Sequence, residues 1–230
     1  MSSPLALSPS ATLSLDHFGS EAQPILTVGN ALSDADAVID IASRHSYRPM
    51  GPFYPGIRAG VSEKIAMPLV EPLADRLVES FGLARPPRYR ECFLSLVTRR
   101  AQELSPIQRL PHFDGVEPTR LAVLLYLDRA ERGGTAFYRQ RATGYESVDA
   151  DRFERYRSEL DREAAEKGVP ESGYISGDTP LFQQVHAVAG RFNSMVVYRG
   201  NTLHCAQLAA GFSPGATPAD GRLTLNLFLD

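Results

Sequence analysis

The sequence predicts a mainly β protein, a jelly-roll core with flanking helices at its N-terminal end. Three observations carry that expectation. Helical periodicity dominates the first third of the chain. After Arg85-Pro86-Pro87, short apolar runs follow one another, separated by turn residues. One charged segment free of glycine and proline, Asp151 to Lys167, interrupts this strand-rich half.

Residues 1–20 read as a mobile tail. The stretch Met1 to Leu15 is rich in serine, alanine and leucine and lacks the basic start and compact apolar run of a secretory signal. Ser33 reads as a helix N-cap, ahead of Asp34, Asp36 and the apolar set Val38, Ile39, Ile41 and Ala42, with the helix ending near His45. Tyr47 to Gly60 holds three prolines and three glycines and reads as a loop. From Ser62 to Phe81, Ile65, Leu69, Leu73, Leu77 and Phe81 recur every four residues, a helix that Pro68 and Pro72 kink or split.

The strands come next. Tyr89 to Thr98 alternates, and Leu121 to Leu127 is a nearly continuous apolar run, as in a strand buried on both faces. Thr135 to Tyr138, Val185 to Val188, Ser194 to Tyr198 and Leu223 to Leu229 complete the set. In the charged segment Phe153, Tyr156, Leu160 and Ala164 fall at helical spacing, an inserted amphipathic helix near 150–168. The expected organisation is one domain over 21–230, with helical and loop support over 21–88 and a barrel over 89–230.

Bulk properties bound the function. With 43% hydrophobic residues in 230, a sizeable core is available. A formal net charge of -3 implies no general affinity for nucleic acid or an anionic membrane surface. No segment approaches about eighteen uninterrupted apolar residues, so no transmembrane span is expected. Cys92 and Cys205 make no CxxC and no disulfide framework, which fits a reducing compartment and a cytoplasmic location.

His112-Phe113-Asp114 is the stretch with chemistry. On an extended strand residues i and i+2 share a side, so His112 and Asp114 both reach one ion while Phe113 turns into the wall. His204, a short turn beyond Ser194 to Tyr198, is the candidate third ligand. Two imidazoles and a carboxylate hold Fe(II) on one face and leave the other positions open; zinc accepts similar donors. His17 and His45 read as structural, and His186 as a cross-strand packing residue.

The order of motifs then supplies more than any one of them. Tyr89 to Thr98 precedes Leu-Pro-His112-Phe-Asp114. Arg120-Leu-Ala-Val-Leu-Leu-Tyr126 follows, then Gly133-Gly134-Thr135-Ala-Phe137, Asn193-Ser-Met-Val-Val-Tyr198, Leu203-His204 and Gly221-Arg222-Leu-Thr-Leu-Asn226. From Arg90 onward this order resembles the Fe(II)/2-oxoglutarate-dependent dioxygenases, especially the prolyl-4-hydroxylase-like branch. The resemblance implies a double-stranded β-helix (cupin-like) and an oxidoreductase using Fe(II), 2-oxoglutarate as co-substrate and dioxygen. It makes His112, Asp114 and His204 the iron ligands and Arg222 the partner of the distal 2-oxoglutarate carboxylate, for which a guanidinium is a bidentate, always-charged match. Tyr126 matches a strand tyrosine that helps bind the same carboxylate; an ordinary core tyrosine reads equally well. Asn226, on the same strand face as Arg222, adds a weaker polar contact. Because Asp114 is retained, the resemblance implies hydroxylation rather than halogenation.

Two positions depart from the family pattern. Eighteen positions separate His204 from Arg222, longer than usual, and the loop from Gly211 to Gly221 must absorb the excess. Arg109 stands where the family carries an aromatic residue. The mouth of the barrel is expected to be covered by Phe53 to Arg58, Arg139 to Tyr145 and the inserted helix. Arg58 and Arg141 are candidates for a substrate carboxylate and Tyr54 or Tyr145 for stacking, against ordinary surface roles. The expected substrate is a small carboxylate-bearing molecule, an amino acid or a peptide. The alternatives are a cupin-like metal barrel with non-oxidative chemistry and a catalytically silent binding module.

Overall fold

The alternation Leu-Thr-Leu-Asn-Leu-Phe-Leu near the C-terminus shows how the core is divided. The computed structural model, which describes residues 3–170, 173–208 and 211–230, makes this segment a strand buried on both faces. In chain order the elements are β1 (Thr12–Phe18), β2 (Gln23–Gly29), α1 (Ala35–Ala42), β3 (Gly56–Gly60), α2 (Glu63–Ala66) and α3 (Ala74–Phe81). Then come β4 (Tyr89–Val97), β5 (Leu121–Tyr126), β6 (Gly133–Gln140), α4 (Ala150–Lys167), β7 (Phe182–Val188), β8 (Ser194–Arg199), β9 (His204–Leu208) and β10 (Leu223–Leu229). The even residues of β10, Thr224, Asn226 and Phe228, face the cavity. The odd residues, Leu223, Leu225, Leu227 and Leu229, pack outward on α1 and α3.

Two antiparallel sheets result. The larger runs β1-β2-β8-β5-β10-β4-β3 and the smaller β7-β6-β9. His112 extends the smaller sheet by bridging to His204 on the free edge of β9. From β4 onward the chain passes back and forth between the sheets, which is the path of a double-stranded β-helix. The fold is mainly β with flanking helices, as the sequence predicts.

Polar and helical signals shape the support. Asp34, not Ser33, caps α1 by accepting from the Ala37 N–H at 2.9 Å, and the helix ends at Ala42. Val38, Ile39 and Ala42 pack against the outer face of the large sheet. The 62–81 helix is split as its prolines require: α2, two 3-10 turns opening around Pro68 and Pro72, then α3. Gly82 ends α3 at φ 58°, the left-handed region that favours glycine. Asp149 caps α4, whose Tyr156, Phe153 and Leu160 pack on the smaller sheet.

Two expectations are overturned. Residues 12–18, expected in a mobile tail, form β1, paired along its length with β2 (residues 1 and 2 of that stretch lie outside the described residues). Phe18 anchors it: the ring stacks on His186 at 4.8 Å and meets Phe137 at 4.6 Å. His186 is thus a packing residue. Likewise Tyr47 to Gly60 is not loop throughout, because β3 pairs with β4 from Gly56 to Gly60.

The turn between β1 and β2 is held by a buried carboxylate. Glu146 accepts from the Ser20 N–H at 2.9 Å, the Glu21 N–H at 3.0 Å and Arg139 Nε at 2.9 Å. Burial pushes its carboxyl up, but the Ser20 and Glu21 N–H groups and Arg139 outweigh this and hold it below the ordinary range. Glu146→Ala is expected to cost about 2–4 kcal/mol by urea denaturation, since it strands two N–H groups and a cation. A loss under about 0.5 kcal/mol would refute the anchor. Because the folded value is depressed, the stabilisation is complete above the unfolded carboxylate value and is lost as pH falls through the folded one.

Candidate metal centre

His112 and Asp114 leave an extended segment on the same side, as the i, i+2 spacing requires. Backbone pairing fixes that segment. His112 and His204 exchange N–H···O bonds of 2.8 Å each, and the Asp114 N–H donates to the Gly200 carbonyl at 2.7 Å. Phe113 turns away, edge-on to Tyr156 at 5.7 Å. The arrangement brings His112, Asp114 and His204 together, with their donor atoms within 4.8 Å of one another. His204 Nε2 lies 3.5 Å from Asp114 Oδ2, and His112 Nε2 lies 3.8 Å from Asp114 Oδ1.

The hydrogen bonding of the cluster suits a cation. His204 Nδ1 lies 2.9 Å from the Thr202 carbonyl. A carbonyl only accepts, so Nδ1 carries a proton, and Nε2 is the ring nitrogen left to face the donor cluster. Burial, with the nearby His204 and Arg58, pushes His112 below its ordinary value, while 56% of its side chain stays open to the cavity. Asp114 Oδ2 is buried and has no hydrogen-bond partner. Burial raises the Asp114 carboxyl, with His204, Arg58 and Arg120 pulling it down. A buried carboxylate oxygen without a donor is costly, and a metal ion removes that cost. The donor set therefore fits a divalent ion with nitrogen and oxygen ligands.

These residues stand in the wall of a cavity of about 460 Å³, within the range of small-molecule sites. Arg222 reaches it from the start of β10, so the long segment after β9 does deliver that residue to the wall. Arg222 is 4% exposed, donates from Nη2 to the Gly134 carbonyl at 3.0 Å, and its Nε has no acceptor. No carboxylate among the described residues pairs with it. Gly134 permits the close packing beside it, since a Cβ there would stand 1.8 Å from the Val188 carbonyl oxygen. Asn226 is also on the wall, its Oδ1 accepting from Thr224 Oγ1 at 2.7 Å. Arg58 and Tyr54 line the same cavity.

Tyr126 and Arg141 require correction. Tyr126 lies behind the wall, sharing a 2.7 Å hydrogen bond with Thr135, and it is Thr135 that reaches the cavity. Arg141 is turned to the surface, where it pairs with Asp178 at 2.7 Å and donates to the Thr179 carbonyl. Tyr145 packs beneath the Arg152 guanidinium, away from the cavity. Arg109 donates to the Leu104 and Pro170 carbonyls and serves the backbone.

Two wall residues escaped the sequence reading. Tyr198 packs edge-on to His204 at 4.8 Å, and its buried hydroxyl has no partner. Arg120 donates to the Asp114 carbonyl at 2.9 Å and pairs with Asp230 and Glu117, which fixes the ligand segment from behind. The signal for Tyr198 was present in the period-2 pattern of β8. For Arg120 it was the charge placed directly before an apolar strand.

Comparison with known proteins gives the following. The model of a family of unknown function (DUF6445) matches residues 9–229. No curated protein matches. Among solved structures, AviO1 from Streptomyces viridochromogenes Tue57 is 18% identical over 94% of this chain and 90% of that one, with a TM-score of 0.49. HygX from Streptomyces hygroscopicus, with nickel and 2-oxoglutarate bound, is 14% identical over 91% and 83%, at 0.47. An N-substituted L-amino acid dioxygenase from Burkholderia ambifaria AMMD is 14% identical over 95% and 94%, at 0.43.

Proposed function

The chain belongs to the DUF6445 family of unknown function, and from that premise we propose that it is a non-haem Fe(II)/2-oxoglutarate-dependent oxygenase of the prolyl-4-hydroxylase-like kind. Its reaction is hydroxylation of a C–H bond in a small carboxylate-bearing molecule. One juxtaposition carries the reading. A His, carboxylate, His set with an orphaned oxygen shares a cavity with a buried arginine that no carboxylate among the described residues neutralises. A non-oxidative metal barrel has no use for that second feature.

His112, Asp114 and His204 would hold Fe(II), which when bound supplies the oxidising chemistry together with 2-oxoglutarate and dioxygen. The protein's own contribution is placement and exclusion of water. Thr202 fixes the His204 ring so that Nε2 faces the donor cluster. Arg222 offers its unused donors to the distal carboxylate of 2-oxoglutarate, with Thr135, next in the chain to its partner Gly134, on the same cavity wall. Phe113, Leu124, Tyr156 and Phe228 add apolar surface to the cavity wall. In that setting a misplaced charge is costly, so both carboxylates of the co-substrate are steered to the cation and the guanidinium.

The test is direct. Purified protein, incubated anaerobically with Fe(II) and 2-oxoglutarate, is expected to show the weak visible charge-transfer band of a bidentate chelate. Calorimetry should show 2-oxoglutarate binding that depends on the metal. Metal binding without either signal would favour the non-oxidative barrel.

A further inference from the structure

Arg58 occupies a position that the co-substrate does not explain. It lies on β3 opposite Ser95 of β4, and Ser95 lies opposite Thr224 of β10, so all three belong to one row across the inner face of the large sheet. Its guanidinium sits 4.1 Å from the Tyr54 ring centre and 5.3 Å from that of Phe93. Those faces orient the planar fork but accept little from its N–H donors. Nε is buried with no acceptor, and no carboxylate among the described residues makes ion-pair contact with it. Asp114 and Glu91 are near enough to act on its charge, yet neither touches it.

A held, partly buried guanidinium with spare donors at an open cavity matches an incoming carboxylate. Arg222 stands on a different strand and donates to a different backbone group, Gly134. Of the arginines in the lining, Arg90 and Arg120 are paired with carboxylates, which leaves Arg58 and Arg222 as two separate cationic anchors. The remaining lining offers apolar surface from Phe53, Ile107, Leu110, Phe113 and Leu160, beside the polar Arg90, Glu91 and Gln108.

We propose that Arg58 is the specificity-determining residue for substrate: it binds the carboxylate of a small organic acid whose apolar body, such as that of a hydrophobic amino acid, packs against Phe53, Ile107, Leu110 and Phe113. This rests on the oxygenase reading for the occupant of Arg222, which is 2-oxoglutarate. Substrate and co-substrate then bind together, each carboxylate matched to its own arginine.

The experiment uses matched probes, 3-phenylpropionate and 3-phenylpropionamide, titrated by calorimetry into anaerobic Fe(II)-loaded protein saturated with 2-oxoglutarate. The acid is expected to bind at least about tenfold more tightly than the amide, the preference that a charge-assisted pair confers. In Arg58→Met the two should bind alike, in Arg58→Lys part of the preference should persist, and 2-oxoglutarate affinity should stay within about threefold of wild type. Equal binding of acid and amide in wild type, binding of neither, or a preference that survives Arg58→Met would overturn the proposal. So would a loss of 2-oxoglutarate binding in Arg58→Met as large as that in Arg222→Met. If wild type itself binds no 2-oxoglutarate, the oxygenase reading falls, and the acid–amide comparison repeated in Arg222→Met still decides the role of Arg58.

Discussion

Asp114→Ala is expected to abolish turnover and to weaken Fe(II) binding by more than about 100-fold, since loss of even an outer-shell partner costs about 10–100-fold. The same change should not unfold the metal-free protein. Asp114 is held in place through its backbone, by its N–H to Gly200 and by Arg120 on its carbonyl. Its side chain contributes a buried oxygen with no donor. Burial raises its carboxyl above the ordinary value. The folded state thus binds this proton more tightly than the unfolded chain, and metal-free stability falls as pH rises from the unfolded value through the folded one. Asp114→Asn removes that charge, so the metal-free variant should match or exceed wild type in urea at neutral pH. A variant that loses metal and is also destabilised by about 2 kcal/mol or more would mean that Asp114 is a structural carboxylate.

Arg222→Met is expected to lower 2-oxoglutarate affinity by about 100-fold, the equivalent of two charge-assisted hydrogen bonds. Fe(II) affinity should be unchanged, because Arg222 touches none of the three ligands. The Gly134 carbonyl loses its donor in the variant, so a stability cost of about 1–3 kcal/mol accompanies the effect. Arg222→Lys separates the two consequences, restoring a point charge without the bidentate fork. Calorimetry with metal and with 2-oxoglutarate, on folded variants confirmed by circular dichroism, reads both. Unchanged 2-oxoglutarate affinity in Arg222→Met would assign the co-substrate to another residue.

Much of the site was legible because it depends on local spacing. His112 and Asp114 share a side through strand geometry alone, and the alternation in β10 presents Arg222, Thr224, Asn226 and Phe228 to one face. The split of the 62–81 helix follows from two prolines. Segments that depend on a partner were not legible. β1 is an edge strand with most of its side chains exposed, so it shows no alternating burial. Its stability comes from β2, from Phe18 in the barrel and from Glu146, which lies more than a hundred residues away. β3 is five residues among prolines and glycines, and only β4 completes its hydrogen bonds.

The same division holds for the polar residues. By itself the sequence determined the donor types, the apolar walls and the inward face of each core strand, because side-chain chemistry and a period of two are local properties. Only the tertiary structure decided which polar groups are consumed. Arg141 and Arg58 look alike in sequence, yet Asp178 neutralises the first while no carboxylate among the described residues contacts the second. Tyr126 and Thr135 trade places at the wall through a shared hydrogen bond. A hydrogen bond or ion pair needs a partner within a few ångströms, and long-range folding chooses that partner.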